Sequence, residues 1–528
     1  MTTKKISVTR AAGIVGFFTL LSRIFGLVRD VVFAAFIDKF YTDVFFIAFT
    51  IPNVLRRLLA EGALTISFIP VFTDYRKKSD KEAAAFVSAA FTATAVVVLL
   101  IALAGVLLAW PISMAFAWGY RDDPLKFGLV VDLTRIMFPY ILFVSLMALA
   151  MGVLNTLGHF MWPAAAPILL NVALIASAVA APKIGTWFGI SPIYILAWGV
   201  LLGGVLQFLV QLPPMAKRGY SPRPLLDFKH PGVQRILKLM GPALFGLAIY
   251  QLTVMISRLL ASFLGDGAVS YLYYSQRLIE FPMGVFAVAI ATGAMPKMAA
   301  HVSSGEMTEM KETLRHSLEL AQFVILPSMV GLIVIAEPVV AMFFQRGVFT
   351  HSMTVQTAHA LMAFAAGLPA MAVARNVVPA FYALHDSKTP VRVSMISLIA
   401  YLAAGLTLMW PLKHVGLALA ISISAWVNAI GLLFALRKKI GLLTLSRSFS
   451  NVTKMAISAA AMGGVAYGIS LLGQWERGGK NLRNMLVLLG ALSLSGLVYG
   501  ASTLILGLPH SKRIAAILRG RLRGRKSA

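Results

Sequence analysis

"SRIFGLVRD", residues 22–30, decides how this chain is to be read. It lies in the run from Ala11 to Ile37, which is apolar apart from Arg23, Arg29 and Asp30. About 20 apolar residues suffice to cross a bilayer. A positive charge at bilayer depth costs about 2.5–3.5 kcal/mol on insertion scales, so two arginines in one such helix point to a task.

The rest of the chain has the same character. Of 528 residues, 59% are hydrophobic and only 13% charged. Soluble domains carry about 25% charge, so this is the composition of an all-α polytopic membrane protein. The absence of cysteine excludes disulfides and thiol chemistry. A net charge of +27 suits nucleic acid only if the basic residues form a solvated face. Here they fall in short loops between apolar runs, which fits contact with anionic membrane lipids and no nucleic acid. Arg23 and Arg29 interrupt what would be the apolar core of a signal peptide, so the first run is a membrane helix.

Apolar runs predict fourteen spans, near 11–37, 43–73, 84–113, 127–155, 161–181, 190–213, 232–264, 268–296, 314–336, 353–384, 389–412, 414–436, 451–473 and 483–508. With the N-terminus in the cytoplasm, the inner segments hold 30 Lys and Arg and the outer loops nine. This asymmetry predicts that both termini are cytoplasmic. With Arg235, Lys238, Arg315, Arg392, Lys454 and Arg483, near span ends, counted with the adjoining loops, eight arginines remain inside spans: Arg23, Arg29, Arg56, Arg57, Arg135, Arg258, Arg277 and Arg375.

A faint repeat runs through the pattern. "AAFIDKFYTDVFF" (34–46) aligns with "ASFLGDGAVSYLY" (261–273) at an offset of 227, which also superimposes Pro163 on Pro390. Duplicated six-helix units of equal orientation follow, the parallel-repeat plan of many transporters. The expected organisation is an N-lobe over 1–220, a C-lobe over 221–440, two appended helices over 441–510 and a basic cytoplasmic tail over 511–528.

Asp30, Glu61, Asp132 and Glu280 oppose the eight arginines within the spans. Helical spacing pairs Arg57 with Glu61, Arg277 with Glu280 and Arg135 with Asp132. Arg23 and Arg56 have no carboxylate at such spacing, although Asn53 precedes Arg56 by three residues. Surplus guanidinium belongs in an aqueous cavity and suits phosphate oxygens. Arg23 and Arg29 lie about 240° apart on a straight helix, so one cavity receives both only if the helix bends, as Gly26 would permit. Pro52 interrupts the second span, as in helices that line transport sites. No H-E-x-x-H spacing, phosphate-binding G-x-x-x-x-G-K-[ST] loop or G-x-S-x-G elbow occurs, so the pattern predicts a transporter without catalytic residues.

"SRIFGLVRD", "TDVFFIAFTIPNVLRRLLAEGALTISFIPVF" (42–72), "YSQRLIEFP" (274–282) and "FYALHDSKTP" (381–390) resemble the MurJ/MviN family of bacterial lipid II flippases, within the multidrug/oligosaccharidyl-lipid/polysaccharide exporter superfamily. The resemblance implies two six-helix lobes and two further helices forming a lipid-tail groove. It implies export of lipid II, an undecaprenyl-diphosphate-linked disaccharide peptide, from the cytoplasmic to the periplasmic leaflet of the inner membrane by alternating access. By motif position, Arg23, Arg29, Arg56 and Arg277 would surround the diphosphate. Asp30, Asp43, Asn53, Arg57, Glu61, Glu280 and Arg375 would gate or support the site. Some members hold sodium between the seventh and eleventh helices. The seventh span here has no aspartate, so no cofactor or metal is expected and monovalent-ion coupling stays open. Gln276 stands where some members carry Asp. A monomer is expected, with association with the cell-wall synthesis machinery left open. The competing expectations are an exporter of another polyprenyl-diphosphate glycan or anionic amphiphile, and a precursor-binding scaffold.

Overall fold

The computed structural model describes residues 8–441, 445–513 and 515–516, with side chains except at 8–12, 60–61, 242–250 and 445–448. The described residues are helical, with no strand among them. Contacts divide the chain into two units, Met1–Ser270 and Tyr271–Ala528.

The first unit holds α1 (Val8–Phe36), α2 (Lys39–Leu58), α3 (Thr65–Lys78), α4 (Asp80–Leu107), α5 (Ala109–Ala117), α6 (Pro124–Met137), α7 (Tyr140–Thr156), α8 (Met161–Phe188), α9 (Pro192–Leu209), α10 (Leu212–Ala216) and α11 (Pro231–Ser262). α12 (Ala268–Pro282) begins there and continues into the second unit. That unit holds α13 (Val288–Ser303), α14 (Met307–Val334), α15 (Ala336–Phe344), α16 (His351–Ala365), α17 (Leu368–Ala383), α18 (Lys388–Ile440), α19 (Leu445–Ser470) and α20 (Leu482–Ile505). α11 packs on α2, α3 and α5, within the first unit. A contact-defined unit need not coincide with a sequence repeat, and here the unit boundary falls in the first turn of α12.

Among the described residues, nine helices are long and apolar enough to cross a membrane, or ten if the bent pair α16–α17 is one span. α1, α2 and α11 fall outside that set, so a count of fourteen is not confirmed. α18 is continuous by hydrogen bonding, yet Lys413 inside it has φ 49° and ψ −133°, so the chain kinks where hydropathy placed the 412/414 junction.

Helix starts follow local chemistry. Asp38 caps α2 through the Phe40 N–H, and Ser79 caps α4 through the Glu82 N–H. Asp123 caps α6 through the Lys126 N–H, with Pro124 as its first residue. Such caps satisfy otherwise orphaned donors. α8 and α9 pack closely because Gly199 and Gly203 present no side chain. A Cβ on Gly199 would lie 2.3 Å from Ser177 Oγ, and one on Gly203 2.6 Å from Leu170 Cδ1. Small residues at this spacing let membrane helices approach. In the second unit, Phe323, Met455, Ala459, Met462 and Tyr499 form one core where α14, α19 and α20 meet.

The loop before α18 is fastened by Asp386. Its carboxylate accepts from Lys439 Nζ (2.7 Å), Thr389 N (3.0 Å) and Thr389 Oγ1 (2.7 Å). The Lys439 contact first, then the two Thr389 bonds, hold its pKa well below the usual carboxylate value. A depressed folded-state pKa adds stability above the unfolded value, near 4, that is lost as pH falls through the folded one. Asp386→Ala is therefore expected to lower stability at neutral pH by ~1–2 kcal/mol, the scale of a lost cap. In thermal unfolding, the gap to the parent should close as the medium is acidified.

Candidate functional site

The arginine of α1 that the motif places at residue 29 is buried, at 8% exposure. Its Nε and Nη2 donate to Asp30 Oδ1 at 3.0 and 2.7 Å, and its Nη1 donates to Asn171 Oδ1 on α8 at 3.1 Å. Asn171 Nδ2 in turn donates to the Ser22 and Pro167 carbonyls, both at 3.3 Å, fixing the amide between α1 and α8. Asp30 is fully buried. This places an ion pair inside the first unit, with a neutral amide supplying a third contact.

Arg23 is exposed and, among the described residues, has no ion-pair or hydrogen-bond partner. α1 runs without interruption through Gly26, so the two arginines stay on different faces and are not brought together. Their separation follows from the 3.6-residue repeat.

Arg56 is half-buried, and its Nε donates to Asn53 Oδ1 at 2.8 Å, the contact expected from their spacing. Arg57 is exposed. Its proposed partner, Glu61, lies outside the described side chains. The backbone there is a π-helical segment, Leu59–Leu64, and a second occurs at Met283–Ala287. π-turns are rare and concentrate at functional sites.

In the second unit, Arg277 Nη1 donates to Glu280 at 3.0 Å, and both remain partly accessible to solvent. Gln276 beside it is half-buried, and Arg375 is exposed with no ion-pair partner among the described residues. Arg135 pairs with Asp132 at 3.3 Å, and Asp132 also accepts from the Tyr194 hydroxyl at 3.2 Å. The pairings expected for Arg277 and Arg135 are thus both present.

Asp43, at the start of the second span, is a wholly buried carboxylate held by four contacts. It accepts from Gly267 N (2.6 Å), Ser270 N (2.8 Å), Ser270 Oγ (2.6 Å) and Lys126 Nζ (3.5 Å). Lys126 also donates to Asp266 at 2.5 Å and lies 4.2 Å from the centre of the Tyr120 ring. Asp43 and Ser270 are the two positions that the 227-residue offset superimposes. α2 thereby grips the first turn of α12, whose N–H groups favour a negative charge.

Three participants lay outside the sequence-based reading. Lys126 falls among the outer-loop charges, and Asn171 is not singled out. Glu319 was missing from the intramembrane acids, although it lies within the ninth predicted span and is buried. It accepts from Arg315 Nη1 (2.6 Å) and Asn451 Nδ2 (3.1 Å), tying α14 to α19. Among the described residues, no three His, Asp or Glu side chains are placed to hold a metal ion.

The pattern of the family described as "Lipid II flippase MurJ" matches residues 32–482. The lipid II flippase MurJ of Burkholderia cenocepacia is 40% identical over 438 residues, covering 81% of this chain and 84% of its own. A probable lipid II flippase MurJ from Vibrio cholerae is 36% identical over 511 residues, covering 94% and 95%. A solved structure of lipid II flippase MurJ in an inward closed conformation has a TM-score of 0.78 at 25% identity, covering 93% of this chain and 99% of its own. A multidrug resistance MATE family transporter, inward-facing, shares the fold at a TM-score of 0.67 and 15% identity, covering 82% and 99%. Those matches, with the multiple apolar helices, make this a multi-pass membrane transporter: the chain belongs to the lipid II flippase MurJ family.

Proposed function

We propose that this chain moves lipid II from the cytoplasmic to the periplasmic leaflet of the bacterial inner membrane, and that Arg23, Arg29, Arg56 and Arg277 take its diphosphate. The observation that carries the arginine assignment is Arg23: an exposed guanidinium in an apolar helix, with no ion-pair partner among the described residues. Such a charge persists in a membrane helix when an aqueous path or an anionic ligand receives it. A diphosphate cannot enter hydrocarbon unaided, whereas its prenyl chain can remain there. Guanidinium groups replace water around the phosphates, and alternating access then changes the leaflet to which the head group opens.

The paired arginines fit the same scheme. Asp30 balances Arg29 while no ligand is bound, and arriving phosphate oxygens compete for the same N–H fork. Glu280 does this for Arg277. Asp43 acts apart from the ligand by holding α2 to the start of α12, and Asn53 orients Arg56. Both termini are cytoplasmic, the working form is a monomer, and anionic lipids contact the basic loops.

The test uses purified protein in sealed vesicles loaded with lipid II, reading the appearance of the head group on the far side. Arg23→Lys, Arg29→Lys and Arg277→Lys are each expected to cut export at least about tenfold, because lysine offers no bidentate fork. Full export by all three would overturn the diphosphate assignment. Export of another polyprenyl-diphosphate glycan in preference to lipid II would overturn the cargo assignment. An imposed membrane potential should change the rate, since each charge moved across the field is worth about 2.3 kcal/mol per 100 mV. Equal rates with and without it would dismiss voltage coupling.

A further inference from the structure

The kink in α18 carries a feature that diphosphate handling does not use. Lys413 has φ 49° and is one of two non-glycine residues with positive φ among the described residues. Such backbone strains a residue that bears a side chain and costs glycine almost nothing. The reversal itself is enforced by packing. A Cβ on Gly416 would sit 2.1 Å from the Leu408 carbonyl oxygen, so the two arms of α18 touch backbone to backbone. Packing explains the turn but not the lysine at its corner.

A cavity of about 490 Å³ opens at this corner, lined by Gln356 and His359 of α16 and by Pro411, Leu412, Lys413 and His414 of α18, among others. That volume is in the range of ligand pockets. The charged and titratable side chains lining it are all basic, with no carboxylate among them. His414 is buried. Its Nε2–H donates to the Gln356 carbonyl at 3.0 Å, and its ring lies 5.1 Å from that of Tyr271. Lys413 and His359 are exposed at the mouth, and the remaining lining is mostly apolar. Trp410, three residues before Lys413, is 67% exposed. Exposed tryptophan at a helix end marks the level of lipid head groups.

We propose that this corner of the second unit is a binding site for an anionic phospholipid of the outer leaflet. Lys413 and His359 take the phosphate, and the apolar wall of Pro411 and Leu412 receives the glycerol and upper acyl chain. The outer placement rests on the charge asymmetry of the loops, while occupancy by lipid is independent of which cargo is exported.

The experiment measures thermal unfolding of the full-length, delipidated protein in detergent with added phosphatidylglycerol, phosphatidylcholine or inorganic phosphate. Phosphatidylglycerol should stabilise the parent and Lys413→Arg, and phosphatidylcholine should not. Lys413→Gly should bind phosphatidylglycerol about fivefold more weakly, the fold-change for one lysine at a membrane surface, and His359→Gln, which takes away a ring N–H donor, should bind it more weakly than the parent. Without lipid, Lys413→Gly should melt at or above the parent temperature, because its backbone strain is gone. Undiminished phosphatidylglycerol stabilisation in both weakened variants would overturn the site. Equal stabilisation by inorganic phosphate would overturn its assignment to a lipid. Because no export is measured, failure here leaves the flippase reading standing.

Discussion

Asp43→Ala is expected to destabilise the protein by about 3–5 kcal/mol and to abolish lipid II export. The magnitude is that of leaving the buried Gly267 and Ser270 N–H groups without an acceptor, about 1–3 kcal/mol each, with Lys126 losing one of its two carboxylates. Asp43 has no exposure, and Lys126, its cationic partner, is 3% exposed. Without the carboxylate, Lys126 retains Asp266, which is half-exposed, while the Gly267 and Ser270 N–H groups lose their acceptor. Asp43→Asn keeps the shape and one acceptor oxygen but not the charge, and should fall between parent and alanine. Pairing Asp43→Asn with Lys126→Met removes both charges, and such replacement of a buried pair is often neutral. Thermal unfolding of the parent, Asp43→Asn, Lys126→Met and the double variant closes a double-mutant cycle. A coupling near zero between residues 43 and 126 would show that the Ser270 and Gly267 contacts carry the effect. Recovery of stability without recovery of export in the double variant would assign the charge itself to transport.

What was legible in the sequence divides by distance along the chain. Arg277–Glu280, Arg135–Asp132 and Asn53–Arg56 are all three residues apart, and helical geometry alone brings them together. The 412/414 break was visible because Pro411 and Lys413 interrupt an apolar run, and the chain turns there. The membrane-spanning character needed only hydropathy. Arg29 and Asn171, by contrast, are 142 residues apart, and Asp43 and Ser270 are 227 apart. An asparagine or a serine in an apolar span carries no periodic signature, so nothing local singles out either partner. Lys126 was hidden differently. It sits just before an apolar run and looks like a loop charge, but Pro124 starts α6 early enough to turn its ammonium inward. The two π-helical segments have no compositional marker, since they arise from how one extra residue is accommodated in a helix.

Arg29→Ala should lower stability by several kcal/mol, since it removes a buried guanidinium that donates twice to Asp30 Oδ1 and once to Asn171. Taken alone, the resulting loss of export would be uninformative, because a misfolded flippase exports nothing. Arg29→Met with Asp30→Asn removes both charges at similar volume, so stability should return to within ~1 kcal/mol of the parent. Export is expected to remain lost in this double variant if Arg29 gives its fork to the diphosphate. It should return if the pair serves only to join α1 to α8. Asp30→Asn alone adds the opposite lever. It weakens the acid that competes for Arg29, so binding of a soluble diphosphate probe such as pyrophosphate should tighten while stability falls. Tighter pyrophosphate binding in Asp30→Asn, combined with a stable but inactive double variant, is the result that separates a binding arginine from a packing one. Unchanged pyrophosphate affinity and a fully active double variant would reduce Arg29 to a structural clasp, leaving Arg23, Arg56 and Arg277 to account for the head group.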